Sequence, residues 1–359
     1  MSHERDSEKV VTWLGSREPG SSGGPVVRDR FQRPLRDLRI SVMDRCNFRC
    51  PYCMPEDKYH KDFEFLKSSE RLSFEEILRL AQLFAGLGVK KLRITGGEPL
   101  LRPNLPDLVG DLSRVEGIED VALTTNGVLL AQHAAALKAA GLARVTVSLD
   151  SLDDEVFLAM NGGRGNKDRV LEGISEAIQA GLTPLKINTV VIRGVNDRTV
   201  LDLVGHFRGT GVIVRFIEYM DVGTINHWQR ADTVPSRDLV GMIGARWPLK
   251  AVDSNYHGEV ASRYAFEDGQ GEVGFISSVT EPFCGSCTRA RLSSDGQLFT
   301  CLFASSGVDL KGPLRAGASD DELRGIIASV WHGREDRYSE LRAALKSGSD
   351  KVEMYYIGG

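Results

Sequence analysis

Six cysteines are the side chains of this sequence best able to do chemistry, and they fall into two trios near opposite ends of the chain, at 46, 50, 53 and at 284, 287, 301. Cys46, Cys50 and Cys53 stand in RCNFRCPYCMPE with CxxxCxxC spacing. Three soft thiolates suit an iron–sulfur cluster that keeps its fourth iron open, whereas a structural zinc takes four protein ligands. His60 could supply that fourth ligand, so a Cys₃His zinc site is the alternative here. Cys284, Cys287 and Cys301 stand in FCGSCTRARLSSDGQLFTCLF, where Asp295-Gly296 between two apolar-alternating runs predicts a hairpin. The hairpin folds Cys301 back across from about Ala290, giving three ligands again, and His257 or His332 could complete a zinc site instead. Arg289 and Arg291 lie two apart and point the same way, either toward this second metal site or onto a solvated strand face. A secreted disulfide scaffold would be shorter and denser in cysteine, and six unrelated buried cysteines would not group so tightly.

The elements that must position these groups come from a 359-residue chain with 45 basic and 49 acidic residues and a hydrophobic share of 42%. That composition describes a globular chain with a sizeable core. No apolar run approaches the roughly 18 residues of a spanning helix, and a net charge of −4 gives no electrostatic case for a nucleic-acid or membrane-surface protein. Residues 1–30 are Gly-, Ser- and charge-rich without an apolar h-region, so they are expected to be a mobile extension and not a leader, and the compartment is expected to be the reducing cytoplasm. The fold is expected to begin near Pro34. From there short β-rich runs (38–44, 90–95, 120–125, 144–150, 184–192, 212–220) alternate with helical patterns, the first capped by Ser73 with Glu76 in a capping box and running to about Leu87. The other helices are expected over 104–115, 131–142, after Leu152, 167–180 and 197–209. Six β/α units in succession imply an α/β fold with parallel strands, either an open sheet or a barrel. Residues 31–220 hold this alternation, and 221–359 are expected to form a smaller second region carrying the second trio. GGRGN at 162–166 is read as a turn, since it lacks P-loop spacing.

Strand parity favours the barrel. Alternation puts Arg39 with Ser41 on one face of their strand, Lys91 with Arg93, Lys186 with Asn188, and Arg215 opposite Val214 and Phe216. Basic residues thus recur on one face of four strands. Unpaired buried cations are very costly, so that face should meet a polyanionic ligand inside a partly open barrel, or else pair with carboxylates at its rim.

CxxxCxxC with Tyr52 before the last cysteine resembles the signature of radical S-adenosylmethionine enzymes, which use a partial (β/α)₆ TIM-like barrel. Gly96-Gly97-Glu98-Pro99, Thr124-Thr125-Asn126-Gly127 and Ser148-Leu149-Asp150 fall at strand ends where that fold needs them. CxxCxRxRLSxDG with a third cysteine, RDLRISVxDRCNFRC, FIEYMDVG and a terminal Gly358-Gly359 narrow the resemblance to the GTP 3′,8-cyclases of molybdenum-cofactor biosynthesis, over about residue 30 to the end. The resemblance implies two 4Fe-4S clusters and S-adenosylmethionine as cofactors, with a C-terminal iron–sulfur region closing the barrel mouth. It implies S-adenosylmethionine contacts at Tyr52, Gly97, Ser148 and Met220, the glycines letting backbone approach the methionine end. It implies GTP between the clusters, its guanine on the second, with contacts at Arg39, Arg93, Thr124, Lys186, Arg289, Ala290 and Arg291 and additions at Lys91 and Arg215. The implied reaction is abstraction of the ribose 3′ hydrogen, closure of C3′ onto guanine C8, then reduction, which Arg289 and Arg291 are expected to assist. Gly358-Gly359 would thread toward the site. A reducing electron donor, the synthase that makes cyclic pyranopterin monophosphate, and a monomeric or homodimeric state complete the expectations.

Overall fold

A computed structural model describes residues 26–344 and 351–358. Six strands run parallel in sequence order: β1 (Asp37–Ser41), β2 (Lys91–Thr95), β3 (Asp120–Thr125), β4 (Arg144–Ser148), β5 (Lys186–Val191) and β6 (Ile213–Glu218). Each is followed by helix, as the period shift from 2 to 3.6 residues requires. The helices between them span Phe74–Gly86, Leu105–Ser113, Leu130–Ala139, Asp154–Asn161, Lys167–Gln179 and Val200–Phe207. The first is closed by the expected capping box, with Glu76 N donating to Ser73 Oγ at 3.2 Å and Ser73 N to Glu76 Oε2 at 2.7 Å.

One face of the strands makes the core. Leu38, Ile40, Leu92, Ile94, Leu123, Val145, Val147, Ile187, Val214 and Phe216 are buried against Leu80, Phe84, Leu108, Leu137 and Ile174 of the surrounding helices. Each such side chain contributes roughly 1.5–3 kcal/mol by leaving water. The other face carries Arg39, Arg93, Thr124, Ser148 and Arg215 toward the interior of a partial barrel.

Regular alternation ends after β6, as expected. The later strands do not form a sheet of their own. β9 (Glu272–Ile276) pairs parallel with β6 and carries β8 (Ser262–Phe266) and β7 (Leu249–Val252) as an antiparallel meander. β10 (Arg289–Leu292) pairs parallel with β1 and carries β11 (Gln297–Phe299) and β12 (Val308–Asp309). One 12-stranded sheet results, with C-terminal strands on both flanks of the six.

The N-terminal boundary differs from expectation. Residues 1–25 lie outside the described residues, but 26–30 belong to the fold. Val26 and Val27 are 7% and 1% exposed, Val27 N donates to Leu87 O, and the Asp29 carboxylate is fully enclosed. Two adjacent valines cover the end of helix Phe74–Gly86, an apolar signal diluted by the Gly/Ser-rich run before it. Gly162–Asn166 is a turn, with Gly162 ending one helix at φ 75° and Asn166 capping the next. Among the described residues no helix is long and apolar enough to cross a membrane.

Candidate active site

Both cysteine trios line one cavity inside the barrel. At one end, Cys46, Cys50 and Cys53 lie on the loop after β1. Arg49 fixes that loop from behind, donating from Nη1 to Cys46 O and Phe48 O, each at 2.8 Å, and from Nε to Tyr59 O at 2.7 Å. The Gly-Gly-Glu-Pro turn after β2 zips onto it through Gly97 N to Met43 O at 2.6 Å and Glu98 N to Arg45 O at 2.7 Å. A Cβ on Gly96 or Gly97 would sit 2.4 Å from Met43 O or 2.3 Å from Arg45 O. These glycines are therefore required by the cysteine loop's own backbone, a reason distinct from the approach of a ligand expected from sequence.

Glu98 is 1% exposed and accepts from Thr125 Oγ1 at 2.7 Å, Asn126 N at 2.8 Å and Leu100 N at 3.0 Å. Burial pushes its carboxyl up to about 7. Asn126 Nδ2 donates to Asn47 Oδ1 at 2.7 Å and lies 3.8 Å from Cys46 Sγ. Tyr52 Oη donates to Asp150 Oδ2 at 2.8 Å, and burial raises that carboxyl to about 6. Glu98, Asn126 and Asp150 thus join the site, although the sequence marked them only as parts of motifs. The expected contacts Tyr52, Gly97, Ser148 and Met220 all line the same end. Burial raises the Cys46 thiol to about 11, and those of Cys50 and Cys53 upward as well. Thiols held this way ionise when an electropositive metal binds them, which fits the donor set of an iron–sulfur centre.

The wall between the ends is cationic. Register sets Arg39 beside Arg93 on β2 and Arg291 on β10, with Lys91 and Arg289 flanking Asp37 one layer away. Arg93 donates to Thr124 Oγ1 at 3.1 Å and Thr146 Oγ1 at 3.3 Å, and Arg215 to Asn188 Oδ1 at 3.0 and 2.7 Å. Lys91 Nζ lies 3.2 Å from the centre of the Tyr256 ring. Among the described residues none of Arg39, Lys91, Arg93, Lys186, Arg215, Arg289 and Arg291 forms an ion pair with a carboxylate, so the rim-pairing alternative does not hold. Burial, then Arg291 and Arg93, pushes Arg39 well down; burial and Arg93 bring Arg215 to about 9; burial and Arg215 bring Lys186 to about 8. Asp120 is already paired with Arg144.

Two expected contacts do not line this cavity. Lys186 is half-buried at the start of β5, beside Thr146, and Ala290 is fully buried, its side chain alternating with Arg289 and Arg291 into the core. Tyr256 and Arg144 do line it, and no local pattern in the sequence announces either.

At the far end Cys284, Cys287 and Cys301 are brought together by the expected hairpin. Arg291 pairs with Phe299, which sets Cys301 across from Arg289, within one residue of the expected position. Arg289 Nη2 lies 3.3 Å from Cys287 Sγ. Burial raises the Cys287 thiol, but Arg289 and Arg334 outweigh it and bring it down to about 6. Cys301 is raised to about 11 by burial and Asp336. Among the described residues no three His, Cys, Asp or Glu side chains converge on a single-ion position, and His60 and His257 are exposed. A lone tetrahedral zinc needs that convergence; a cluster in which each thiolate takes its own iron does not.

The C-terminal segment enters the same space. Gly358 O accepts from Arg291 Nη1 at 2.5 Å and Arg39 Nη1 at 3.3 Å, with Gly358 at φ 67° and Thr95 Cγ2 2.3 Å from where a Cβ would stand. Threading toward the site therefore holds for Gly358, while Gly359 lies outside the described residues.

Residues 40–207 match the family described as Radical SAM superfamily, and residues 212–340 the family described as Molybdenum Cofactor Synthesis C. A GTP 3′,8-cyclase of Xanthomonas campestris pv. campestris (strain B100) is 55% identical over 341 residues, covering 95% of this chain and 99% of that protein. One from Acidothermus cellulolyticus is 49% identical, covering 93% and 99%. The crystal structure of Streptococcus suis SuiB bound to S-adenosylmethionine shares the fold, with a TM-score of 0.56 at 15% identity over 89% of this chain and 71% of that one. Sequence likeness across nearly the whole length, on a barrel holding two cysteine trios, means that the chain belongs to the GTP 3′,8-cyclase family of radical S-adenosylmethionine enzymes.

Proposed function

We propose that this protein cyclises GTP to 3′,8-cyclo-7,8-dihydroguanosine 5′-triphosphate, the first step of molybdenum-cofactor biosynthesis, with S-adenosylmethionine and two 4Fe-4S clusters. The observation that carries the reading is one cavity with a cysteine trio at each end and, between them, cations that have no carboxylate ion-pair partner among the described residues. Cys46, Cys50 and Cys53 would hold one cluster and Cys284, Cys287 and Cys301 the other. Bound there, the first cluster and S-adenosylmethionine would supply the radical chemistry for hydrogen abstraction at the ribose 3′ position.

The rest is the work of this chain's side chains. Tyr52, Gly97, Ser148 and Met220 orient the adenosyl donor, Tyr52 through a phenol already fixed on Asp150. Arg39, Lys91, Arg93 and Arg215, with Thr124 and with Lys186 at the margin, hold the triphosphate and shed their mutual repulsion as they do so. Arg289 and Arg291 hold the guanine end and assist the late reduction, and Ala290 contributes through its backbone alone. Fixing both ends brings C8 over C3′, and orientation of this kind can supply several kcal/mol of a barrier. Met354 and Tyr355 of the tail, which line the cavity, exclude water.

The barrel, with residues 26–30 packed on it, and the region from 221 onward act as one catalytic unit in the cytosol, as a monomer or homodimer. A reducing electron donor supplies electrons, and the synthase forming cyclic pyranopterin monophosphate consumes the product. To test the reading, reduced protein is incubated with S-adenosylmethionine and GTP deuterated at C3′. Deuterium is expected in 5′-deoxyadenosine, and its absence would overturn the assignment. Cys284→Ser is expected to retain reductive cleavage of S-adenosylmethionine while losing cyclisation.

A further inference from the structure

The backbone of the second cysteine loop is gripped by two arginines that none of the assignments above uses. Arg334, with its side chain 2% exposed, donates from Nη1 to Cys287 O at 2.8 Å and from Nε to Thr300 O, next to Cys301, at 3.1 Å. Arg33, equally buried, donates from Nη1 to Cys284 O at 2.7 Å and Asp336 O at 2.8 Å. Each cysteine thus has its own carbonyl, or that of its neighbour, tied to a buried cation. Asp29 Oδ2 joins the two arginines, at 2.6 Å from Arg33 Nε and 3.2 Å from Arg334 Nη1, and Asp336 meets Arg334 Nε at 3.2 Å. The Trp331 ring lies 4.6 Å from the Arg334 guanidinium carbon and shuts out water. Arg33 Nη2 is buried with no partner among the described residues, a donor left over beside this loop.

The first trio has a different charge environment. Its carbonyl clamp among the described residues is Arg49, a cation that opposes Glu98 at Cys46, while the carboxylates of Asp150 and the tail's Glu353 act on Cys50 and Cys53. The second trio has Arg334 behind it and Arg289 against Cys287 Sγ, with Asp336 as the nearby carboxylate. A fixed cation stabilises the more negative, reduced form of an iron–sulfur centre, and a carboxylate does the reverse.

We propose that Arg334, held in place by Arg33 and Asp29, is a positioning residue that keeps the centre on Cys284, Cys287 and Cys301 at a higher reduction potential than the centre on Cys46, Cys50 and Cys53. The proposal rests on the two-cluster reading above. Under progressive reduction the second centre then takes its electron first.

The test is a potential-controlled titration of anaerobic full-length protein followed by electron paramagnetic resonance, with Cys284→Ser identifying the second centre's signal. Arg334→Gln is expected to lower the second potential alone, changing its reduced-to-oxidised ratio about tenfold at a fixed potential, about 59 mV for one electron. Arg334→Lys, which keeps the charge, is expected to recover most of that. Asp29→Asn, which removes a negative charge without changing shape, is expected to raise the same potential. A second centre that reduces at or below the first overturns the proposal. So does an Arg334→Gln protein with full iron content and an unmoved potential, or one in which both potentials shift equally. Should Arg334→Gln lose iron, Asp29→Asn decides, and a potential that stays or falls is then the refutation. Wild-type protein carrying iron at the first trio and zinc at the second would overturn the two-cluster reading itself, and the proposal with it.

Discussion

Replacing Arg215 by methionine should stabilise the ligand-free protein while weakening its hold on a triphosphate. Arg215 projects from β6 into the cavity, bonded to Asn188 and facing Arg93, with no carboxylate partner among the described residues. Its guanidinium is brought from above 12 to about 9 by burial and then by Arg93. At pH 7 it is still charged in both folded and unfolded chains, so the folded state carries the whole penalty, about 4–5 kcal/mol as an upper bound because cavity water screens part of it. Losing the two bonds to Asn188 Oδ1 costs about 1–2 kcal/mol in return. The balance is a gain of about 2 kcal/mol, a rise of a few degrees in melting temperature for a chain of this size. The sign has a pH dependence. A base whose folded pKa is lowered sheds its penalty as pH rises through the folded value, because the unfolded chain then binds more protons. The advantage of Arg215→Met over wild type should therefore be constant below about pH 8 and shrink above about pH 9. Calorimetry of both proteins, prepared identically without nucleotide, reads the first effect; titration with GTP and with guanosine reads the second, expected as a loss of about tenfold or more for GTP alone. A variant that melts below wild type without ligand, or that loses GTP and guanosine in parallel, would refute the reasoning.

Other substitutions probe the geometry of the two loops and the tail. Gly97→Ala places a Cβ 2.3 Å from Arg45 O, an overpacking cost of about 1–3 kcal/mol that should displace the first cysteine loop and halve the iron content, with the loss confined to the first centre. Gly358→Ala combines a left-handed φ of 67° with a contact to Thr95 Cγ2 of 2.3 Å, about 2–4 kcal/mol in all, and should expel the tail; unchanged hydrogen-exchange protection over 351–358 would contradict this. Lys351→Ala removes donors to Asp221 O at 2.8 Å and Oδ2 at 2.7 Å and should raise proteolysis of the same segment by a smaller factor. Burial raises the Asp221 carboxyl, but Lys351, Tyr338 and Arg342 outweigh it and hold it below its ordinary range. This latch should therefore keep its strength above about pH 4 and weaken only as pH falls further, which a pH series of tail protection measures.

How much of this was legible in the sequence depends on the range over which each feature is encoded. The six β/α units were, because strand and helix periods are set within a few residues: 184–192 became Lys186–Val191 and 104–115 became Leu105–Ser113. The cationic wall was also legible, since a period of two is enough to put Arg39, Lys91, Arg93 and Arg215 on one face before any partner strand is known. The pairing of β10 with β1 and of β9 with β6 was not, because nothing local in either strand identifies a neighbour far away in the chain. Nor was the burial of Val26 and Val27, an apolar pair that follows a long polar run.

The same division runs through the site. The six cysteines are readable because a single loop or hairpin must present them, so their spacing is the geometry. The groups that set the charge around those cysteines have no such constraint. Asp29 and Arg33 come from the N-terminal edge, and Arg334 and Asp336 from the segment after helix Asp320–His332. Each arrives through tertiary packing, and taken singly each reads as an ordinary surface charge. Their burial is what gives them effect, since a charge enclosed by protein acts on its neighbours with far less screening than the same charge in water. Two loops of similar cysteine content can thus be given different redox character by residues that leave no motif. Charge substitutions at Asp29 and Arg334 should accordingly move the second centre's potential in opposite directions while the six ligands stay the same.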